Sequence, residues 1–323
     1  MLKIRLIIRF EALNFTNLHK NYIEMKKTIS ASDMILNKDG SIYHLNLRPQ
    51  DIANTIITVG DPERVAKISS KFDKISFKMS NREFVTHTGE LDGKQLTVLS
   101  TGIGTDNIDI VLNELDALVN VDFESRTVKE NHTSLDIIRI GTTGGMQSNI
   151  ETGSIVLTEF AIGLDSLLLF YDQHLDETEL ELDQAFRAYC DQNLKLPLNY
   201  YVTKADKSLL AYFPKDFTKG ITITCPGFYA PQGRQVRALN PNKEFLDQIS
   251  GFTFKNLRTT NFEMESAGIY GLGSILGHRC LSASVIIANR KKGLFSENPK
   301  KDVENLIDTV FETIIAIKNS FAS

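Results

Sequence analysis

Four short segments of this chain combine residue types that could do chemistry. Residues 60–65 (GDPERV) follow an apolar run and put Arg64 in the opening turn of a helix starting near Pro62. Backbone N–H groups at a helix start and a guanidinium can together hold an oxyanion. The plainer reading of the same residues has Asp61 as a helix cap and Arg64 in solvent. Residues 139–145 (RIGTTGG) end an otherwise apolar strand with a guanidinium, the hydroxyls of Thr142 and Thr143, and glycines that allow close backbone approach. An arginine in a buried strand needs a partner. A bound oxyanion would be one, and an internal carboxylate would serve as well.

Residues 261–268 (NFEMESAG) space Glu263 and Glu265 around Met264 at the start of a small-residue helix. Such a carboxylate can accept the 2′ and 3′ hydroxyls of a ribose while methionine covers the apolar face of the sugar. Acids at a helix start are also favoured by the helix dipole alone. Residues 228–237 (FYAPQGRQVR) bring aromatics together with Gln232 and Arg234 in an expected loop. An amide with donor and acceptor, beside parallel guanidinium donors, matches the O4, N3–H and O2 edge of uracil, and Phe228 can stack on the ring.

The elements that must position these groups are those of an α/β sheet. From about Tyr43 onward, short β-branched runs alternate with helical stretches and often end in glycine. Strands are predicted at 55–60, 95–100, 136–141, 153–157, 220–224 and 282–288, and helices at 106–119, 263–276 and 301–321. Residues 120–135, polar and mixed in charge, read as a helix extension followed by an exposed loop. Ligands of open α/β sheets bind where strands finish and helices begin, which is where the four segments lie.

Composition narrows the class. A chain of 323 residues with 42% hydrophobic and 24% charged residues is an ordinary globular protein. A net charge of −4 without basic blocks argues against nucleic acid as a partner. Cys190, Cys225 and Cys280 are widely spaced and odd in number. They make neither a disulfide framework nor a metal motif, and a reducing, cytoplasmic setting fits them. Residues 1–10 (MLKIRLIIRF) resemble a signal peptide superficially, but Arg5, Arg9 and Glu11 break the apolar run. The stretch is far short of the ~20 apolar residues that span a bilayer, so no membrane association is expected. Residues 1–40 are therefore expected to be a poorly packed extension or an added amphipathic helix, with Met25 and Met34 as alternative starts, and 41–323 a single domain.

Taken in order, IYHL, GDPERV, NREF, STGIG, RIGTTGG, FYAPQGR, NFEMES and IIANR resemble the motifs of the nucleoside phosphorylase superfamily, and within it the uridine phosphorylases. The resemblance runs from about Ile42 to the C-terminus. It implies a three-layer αβα fold around a mixed, partly barrel-like sheet, and phosphorolysis of uridine, deoxyuridine or thymidine with inorganic phosphate and no organic cofactor. It further implies a homodimer with shared active sites, or a trimer of dimers. By resemblance, Gly60, Arg64, Arg139 and Thr142 form a phosphate site completed by Arg82 of a neighbouring subunit. Met264, Glu265 and Glu263 hold the ribose, with His44 of the neighbour at the 5′-hydroxyl. Phe228, Gln232 and Arg234 bind the base, and Arg290 supports the glutamine. Asn289 stands where a purine phosphorylase usually has aspartate, which argues against purine chemistry; purine phosphorolysis and hydrolytic nucleoside cleavage are the rival readings. Asn107 replaces a serine that helps some relatives hold a monovalent cation, so K+ beside Glu83 stays an open option. The 120–135 stretch is longer than in the shorter bacterial enzymes.

Overall fold

A computed structural model describes residues 28–194 and 198–321, and in it the β-branched runs become strands of one large sheet. Strand β1 (Thr55–Val59) leads into helix α1 (Pro62–Ser69), and β2 (Lys74–Asn81), β3 (Phe84–Leu91) and β4 (Lys94–Ser100) follow as an antiparallel meander. Helix α2 (Thr105–Asn120) is followed by a small hairpin, β5 (Val121–Asp122) with β6 (Thr127–Val128). Then come β7 (Asp136–Gly145), β8 (Ile155–Gly163), α3 (Glu177–Asn193), β9 (Tyr201–Lys204), α4 (Lys207–Ala211) and β10 (Thr218–Thr224). The chain finishes with α5 (Phe245–Ile249), β11 (Thr253–Phe254), β12 (Leu257–Glu263), α6 (Ser266–Ile275), β13 (Arg279–Asn289), β14 (Leu294–Phe295) and α7 (Pro299–Phe321).

The sheet is mixed and half closed. Strand β7 pairs with β13 along its whole length, and its other edge is divided between two partners. Its first half runs parallel to β1, and Gly144 and Gly145 pair antiparallel with Phe262 and Asn261 of β12. The second half closes a ring β7–β12–β10–β8–β13, while the first half carries the open arm β1–β4–β3–β2. This is the partly barrel-like α/β sheet that the motif order implied. Glycine makes the closure possible: a Cβ on Gly144 would stand 2.6 Å from the Phe262 ring. The RIGTTGG segment therefore forms the C-terminal part of β7, as expected, and the strand runs on past the predicted end at 141 to Gly145.

Two apolar clusters fill the layers. The larger joins the open arm to the apolar faces of α1, α2, α6 and α7, through residues such as Ile57, Val98, Leu112, Ile269 and Val310. The smaller lies between the ring and α3 with α5, around Phe186, Ile223, Phe252 and Phe262. Burial rather than intrinsic propensity holds α6, whose first eight residues, glycines included, are all buried.

Three expectations need correction. Helix α6 starts at Ser266, not at 263, because the Glu263 carboxylate accepts the backbone N–H groups of Glu265 and Ser266 and turns the chain between strand and helix. Residues 120–135 do not extend the helix: α2 stops at Asn120 and the β5–β6 hairpin takes over, its turn carrying Arg126 at φ 55°. That arginine donates to the carbonyls of Ile29, Ser30 and Met34, and Ile29 N–H returns a bond to the Arg126 carbonyl at 2.8 Å. Met34 is accordingly buried in the core, so the packed body begins by Ile29, ahead of the expected boundary at 41. The expectations for residues 1–27 lie outside the described residues.

Candidate active site

Where β1, β7 and β12 finish, their C-terminal ends surround a cavity of about 570 Å³, within the size range of small-molecule sites. Gly60, Arg64, Arg139, Thr142, Phe228, Gln232, Arg234, Glu263, Met264 and Glu265 all line it. The four segments thus converge on one space.

One end is cationic and buried. Asp61 caps α1 by accepting the Glu63 N–H at 2.9 Å, as the plainer reading had it. Arg64 nevertheless points inward, and its Nη1 donates to the Ile140 carbonyl at 3.2 Å. Among the described residues it has no ion pair. Burial holds its pKa below the usual arginine value, and repulsion from Arg139 adds to the effect. Arg139 is itself only 5% exposed. Its guanidinium folds back over Gly141, where any Cβ would fall 1.7 Å from Nη1, so a larger residue there would push the guanidinium aside. Nη1 donates to Ser284 Oγ at 3.1 Å and Nη2 to Glu265 Oε2 at 2.5 Å, with Glu263 Oε2 at 3.3 Å. Burial opposes the charge on Arg139, but the carboxylates of Glu263 and Glu265 outweigh it and raise the pKa. An internal carboxylate is thus the partner of Arg139 in this chain, and Arg64 is the guanidinium without one.

The acidic pair divides its labour. Glu263 accepts from Thr224 Oγ1 at 2.7 Å, from Ser266 Oγ at 2.9 Å and from the two backbone N–H groups at the start of α6. It is a cap and a strand tie as much as a cavity wall. Glu265 receives Gly104 N–H on Oε1 at 2.9 Å and Arg139 on Oε2. Burial pushes its pKa above the carboxylate range, while Arg139 pulls it down and Glu263 adds like-charge repulsion. Each oxygen retains lone-pair capacity for a donor such as a hydroxyl. Met264, half-buried between them, supplies apolar wall.

The other end is a loop. Gln232 closes a short 3-10 turn (Ala230–Gln232) and is buried, and its Oε1 accepts Arg234 Nη1 at 2.6 Å. Arg234 also donates to the Phe228 carbonyl at 2.7 Å and lies 3.7 Å above the Phe228 ring. The hydrogen bond identifies the acceptor end of the glutamine amide. Burial, together with the nearby charge of Arg290, lowers the pKa of Arg234. Arg290 does not reach Gln232 as expected. It is exposed, donates to the Gly233 carbonyl at 3.4 Å, and lines a separate recess of about 130 Å³, because β13 ends one residue before it and releases it on the outer side of the loop. Asn289 is also outside the cavity lining, since its amide donates to the Gln147 and Ile150 carbonyls. Its bearing on base class is therefore indirect, and Gln232 and Arg234 carry that argument.

His44 and Arg82 do not line the cavity of their own chain. They sit together elsewhere: His44 stacks edge-on against Tyr43, the Arg82 guanidinium lies 5.5 Å from the Tyr43 ring, and Asn81 Nδ2 donates to the His44 carbonyl at 2.7 Å. Glu83 and Asn107 both close over Gly102. A further cluster, Asp116, His132 and His278, has donor atoms within 4.8 Å of one another. There Leu135 N–H occupies His278 Nδ1 at 3.2 Å, so the ring proton stays on Nε2, which faces Asp116 Oδ1 at 3.4 Å. A ring so protonated has no lone pair for a metal. Asp116 and His278 approach each other between α2 and the start of β13, but among the described residues His278 Nε2 makes no hydrogen bond.

Sequence reading passed over several lining groups. Ile103, Ile287 and Phe295 supply apolar wall, Phe262 lies between Gly144 and the Arg234 side, and Gly104 N–H orients Glu265. The STGIG motif was the available signal for Gly104, but no side-chain chemistry marks a backbone donor.

Comparison with known proteins places the chain in a family. Residues 54–317 match the family model described as the phosphorylase superfamily. The chain is 30% identical over 268 residues to the uridine phosphorylase of Thermococcus kodakarensis, covering 82% of this chain and 83% of that protein. It is 31% identical over 258 residues to the uridine phosphorylase of Escherichia coli, covering 77% and 86% respectively. Among solved structures, a Trypanosoma brucei nucleoside phosphorylase described as showing uridine phosphorylase activity superposes with a TM-score of 0.77 at 28% identity, over 88% of this chain and all of that one.

Proposed function

The chain belongs to the phosphorylase superfamily, and from that premise we propose that it cleaves uridine with inorganic phosphate to uracil and ribose 1-phosphate. One observation carries the reading: a single cavity has Arg64, Arg139 and Thr142 at one end, Glu265 and Met264 along its wall, and the Gln232–Arg234 pair at the other. Phosphate lies between the two guanidiniums, relieving their mutual repulsion and giving Arg64 the anion it lacks. Glu265 accepts the ribose hydroxyls. Phosphate then attacks C1′ as the glycosidic bond breaks through an oxocarbenium-like state, whose positive charge is met by the phosphate itself. Negative charge passing to the uracil carbonyls is met by donors of Gln232 and Arg234, with Phe228 as the stacking surface. No general acid of high strength is needed, which suits a leaving group bound at its imide edge and not at a purine N7.

His44 and Arg82, side by side and away from their own cavity, support the further reading that each site is completed by a neighbouring subunit in a homodimer or a trimer of dimers. Glu83 and Asn107 keep K+ at that interface within the proposal. Three unpaired cysteines support a reducing, cytoplasmic setting, and no helix among the described residues is long and apolar enough to cross a membrane. The decisive experiment incubates the protein with uridine, thymidine, inosine and adenosine, each with and without phosphate. Uridine cleavage that requires phosphate is expected. Preference for inosine, or turnover without phosphate, overturns the reading.

A further inference from the structure

The geometry points to Glu114 of α2 as a positioning residue that fixes both the place and the tautomer of His44, a role resting on the reading that His44 meets a ribose 5′-hydroxyl across the subunit boundary. The Glu114 carboxylate accepts the His44 backbone N–H at 3.0 and 3.1 Å, the Leu45 N–H at 2.8 Å, and His44 Nδ1 at 2.6 Å. An ionised carboxylate only accepts, so the proton of a neutral ring must sit on Nδ1, leaving the Nε2 lone pair to receive a hydroxyl proton. Asn81 holds the same residue from the other side through its carbonyl, and Asn81 is the neighbour of Arg82. The two residues proposed for the adjoining site are therefore presented by one braced edge.

Helix α2 links that edge to the chain's own cavity. Its N-cap residue, Gly104, donates to Glu265, and Glu114 lies ten residues further along the same helix, about 15 Å at the usual rise. A rigid helix thus sets the distance between the site a chain builds and the histidine it offers its neighbour. Three backbone or ring donors converging on one group also explain why an amide would not substitute. In Glu114→Gln the amide N–H2 must face one of those donors. The imidazole is the one that can adapt, by moving its proton to Nε2 and so presenting a donor where it had presented an acceptor.

Steady-state phosphorolysis of uridine and of 5′-deoxyuridine by the wild type, Glu114→Gln, His44→Ala and the double variant tests this. Glu114→Gln should lower kcat/KM for uridine about tenfold while leaving 5′-deoxyuridine within about twofold, and should add nothing in the His44→Ala background. Equal losses on both substrates, or a further loss in that background, would show a merely structural role and overturn the proposal. A His44→Ala variant that treats the two substrates as the wild type does overturns the underlying reading of His44, and is distinguishable because it fails before Glu114 is touched. Should Glu114→Gln melt early, ring nitrogen shifts of the wild type labelled at histidine decide: a His44 ring protonated at Nδ1 supports the proposal, and one protonated at Nε2 overturns it.

Discussion

The two ends of the cavity are built in opposite ways. At the end proposed for phosphate, Arg139, Glu263 and Glu265 are each no more than 5% exposed, and they are cross-linked through β7, β12, β13 and the first residue of α6. At the end proposed for the base, Phe228 is 51% exposed, and Gln232 and Arg234 hang from a loop whose side-chain ties are largely to one another. Charge developing at a reacting centre is best met by groups that need not move, and desolvation strengthens each of them. A base that must enter and leave needs an edge that can open. The sheet is accordingly spent on the first task and a loop on the second.

Removing Arg139 should break the rigid end most completely. Arg139→Ala is expected to lower kcat/KM for uridine by about 10²-fold or more. It should also cost stability, about 3–5 kcal/mol, because two buried carboxylates lose their partner. The sign of the pH dependence follows. Burial already raises the folded-state pKa of Glu265, and without Arg139 it rises further above the unfolded value. The folded variant then binds more protons than the unfolded chain, so its stability is greatest below the ordinary carboxylate range and falls as pH rises through the raised pKa. Melting temperatures across pH check this, and a variant as stable as the wild type at neutral pH would refute the interlocked picture. The same variant probes sharing. Inactive Arg82→Ala chains reassembled with inactive Arg139→Ala chains should recover about a quarter of wild-type sites, since half the random dimers are mixed and each mixed dimer has one intact site. No recovery despite proven exchange would place both arginines in one chain's site.

The loop should respond differently. Gln232→Ala and Arg234→Ala are each expected to lower uridine turnover by about 10- to 100-fold, by leaving polar groups of the bound base unpaired. Thermal stability should barely change, because little but the loop depends on either side chain. A large drop in melting temperature for either variant would erase the contrast between the two ends.

The contrast was itself legible in the sequence to different degrees. Motifs in order disclosed the sheet, the shared cavity and the residues at both ends, because strand termini followed by glycine leave a strong pattern. What they did not disclose were decisions made by pairing. That Arg139 faces Glu265 and that β7 runs on through its glycines to close a ring both depend on strands more than a hundred residues apart. The hairpin at 121–128 was missed because its strands are two residues each, and it is held by Arg126 against the 29–34 segment and not by its own periodicity.

The smallest expected effect belongs to Arg290. If Arg290 braced Gln232, truncating it would damage base recognition about as much as losing the glutamine's own contacts. Its actual bond is a long one, 3.4 Å to the Gly233 carbonyl, made by an exposed side chain. A solvent-facing interaction of that length is worth little, because water replaces it. Arg290 also repels Arg234 and, after burial, helps lower its pKa, so removing it relieves a cost as it deletes a tether. The two effects oppose each other. Arg290→Ala should therefore shift kcat/KM for uridine by no more than about threefold, and the shift should shrink further at high salt as the repulsion is screened. A tenfold loss that persists in high salt would mean that the loop closes on substrate into an arrangement in which Arg290 does reach the glutamine, and the base end would then be assembled by binding and not held ready for it.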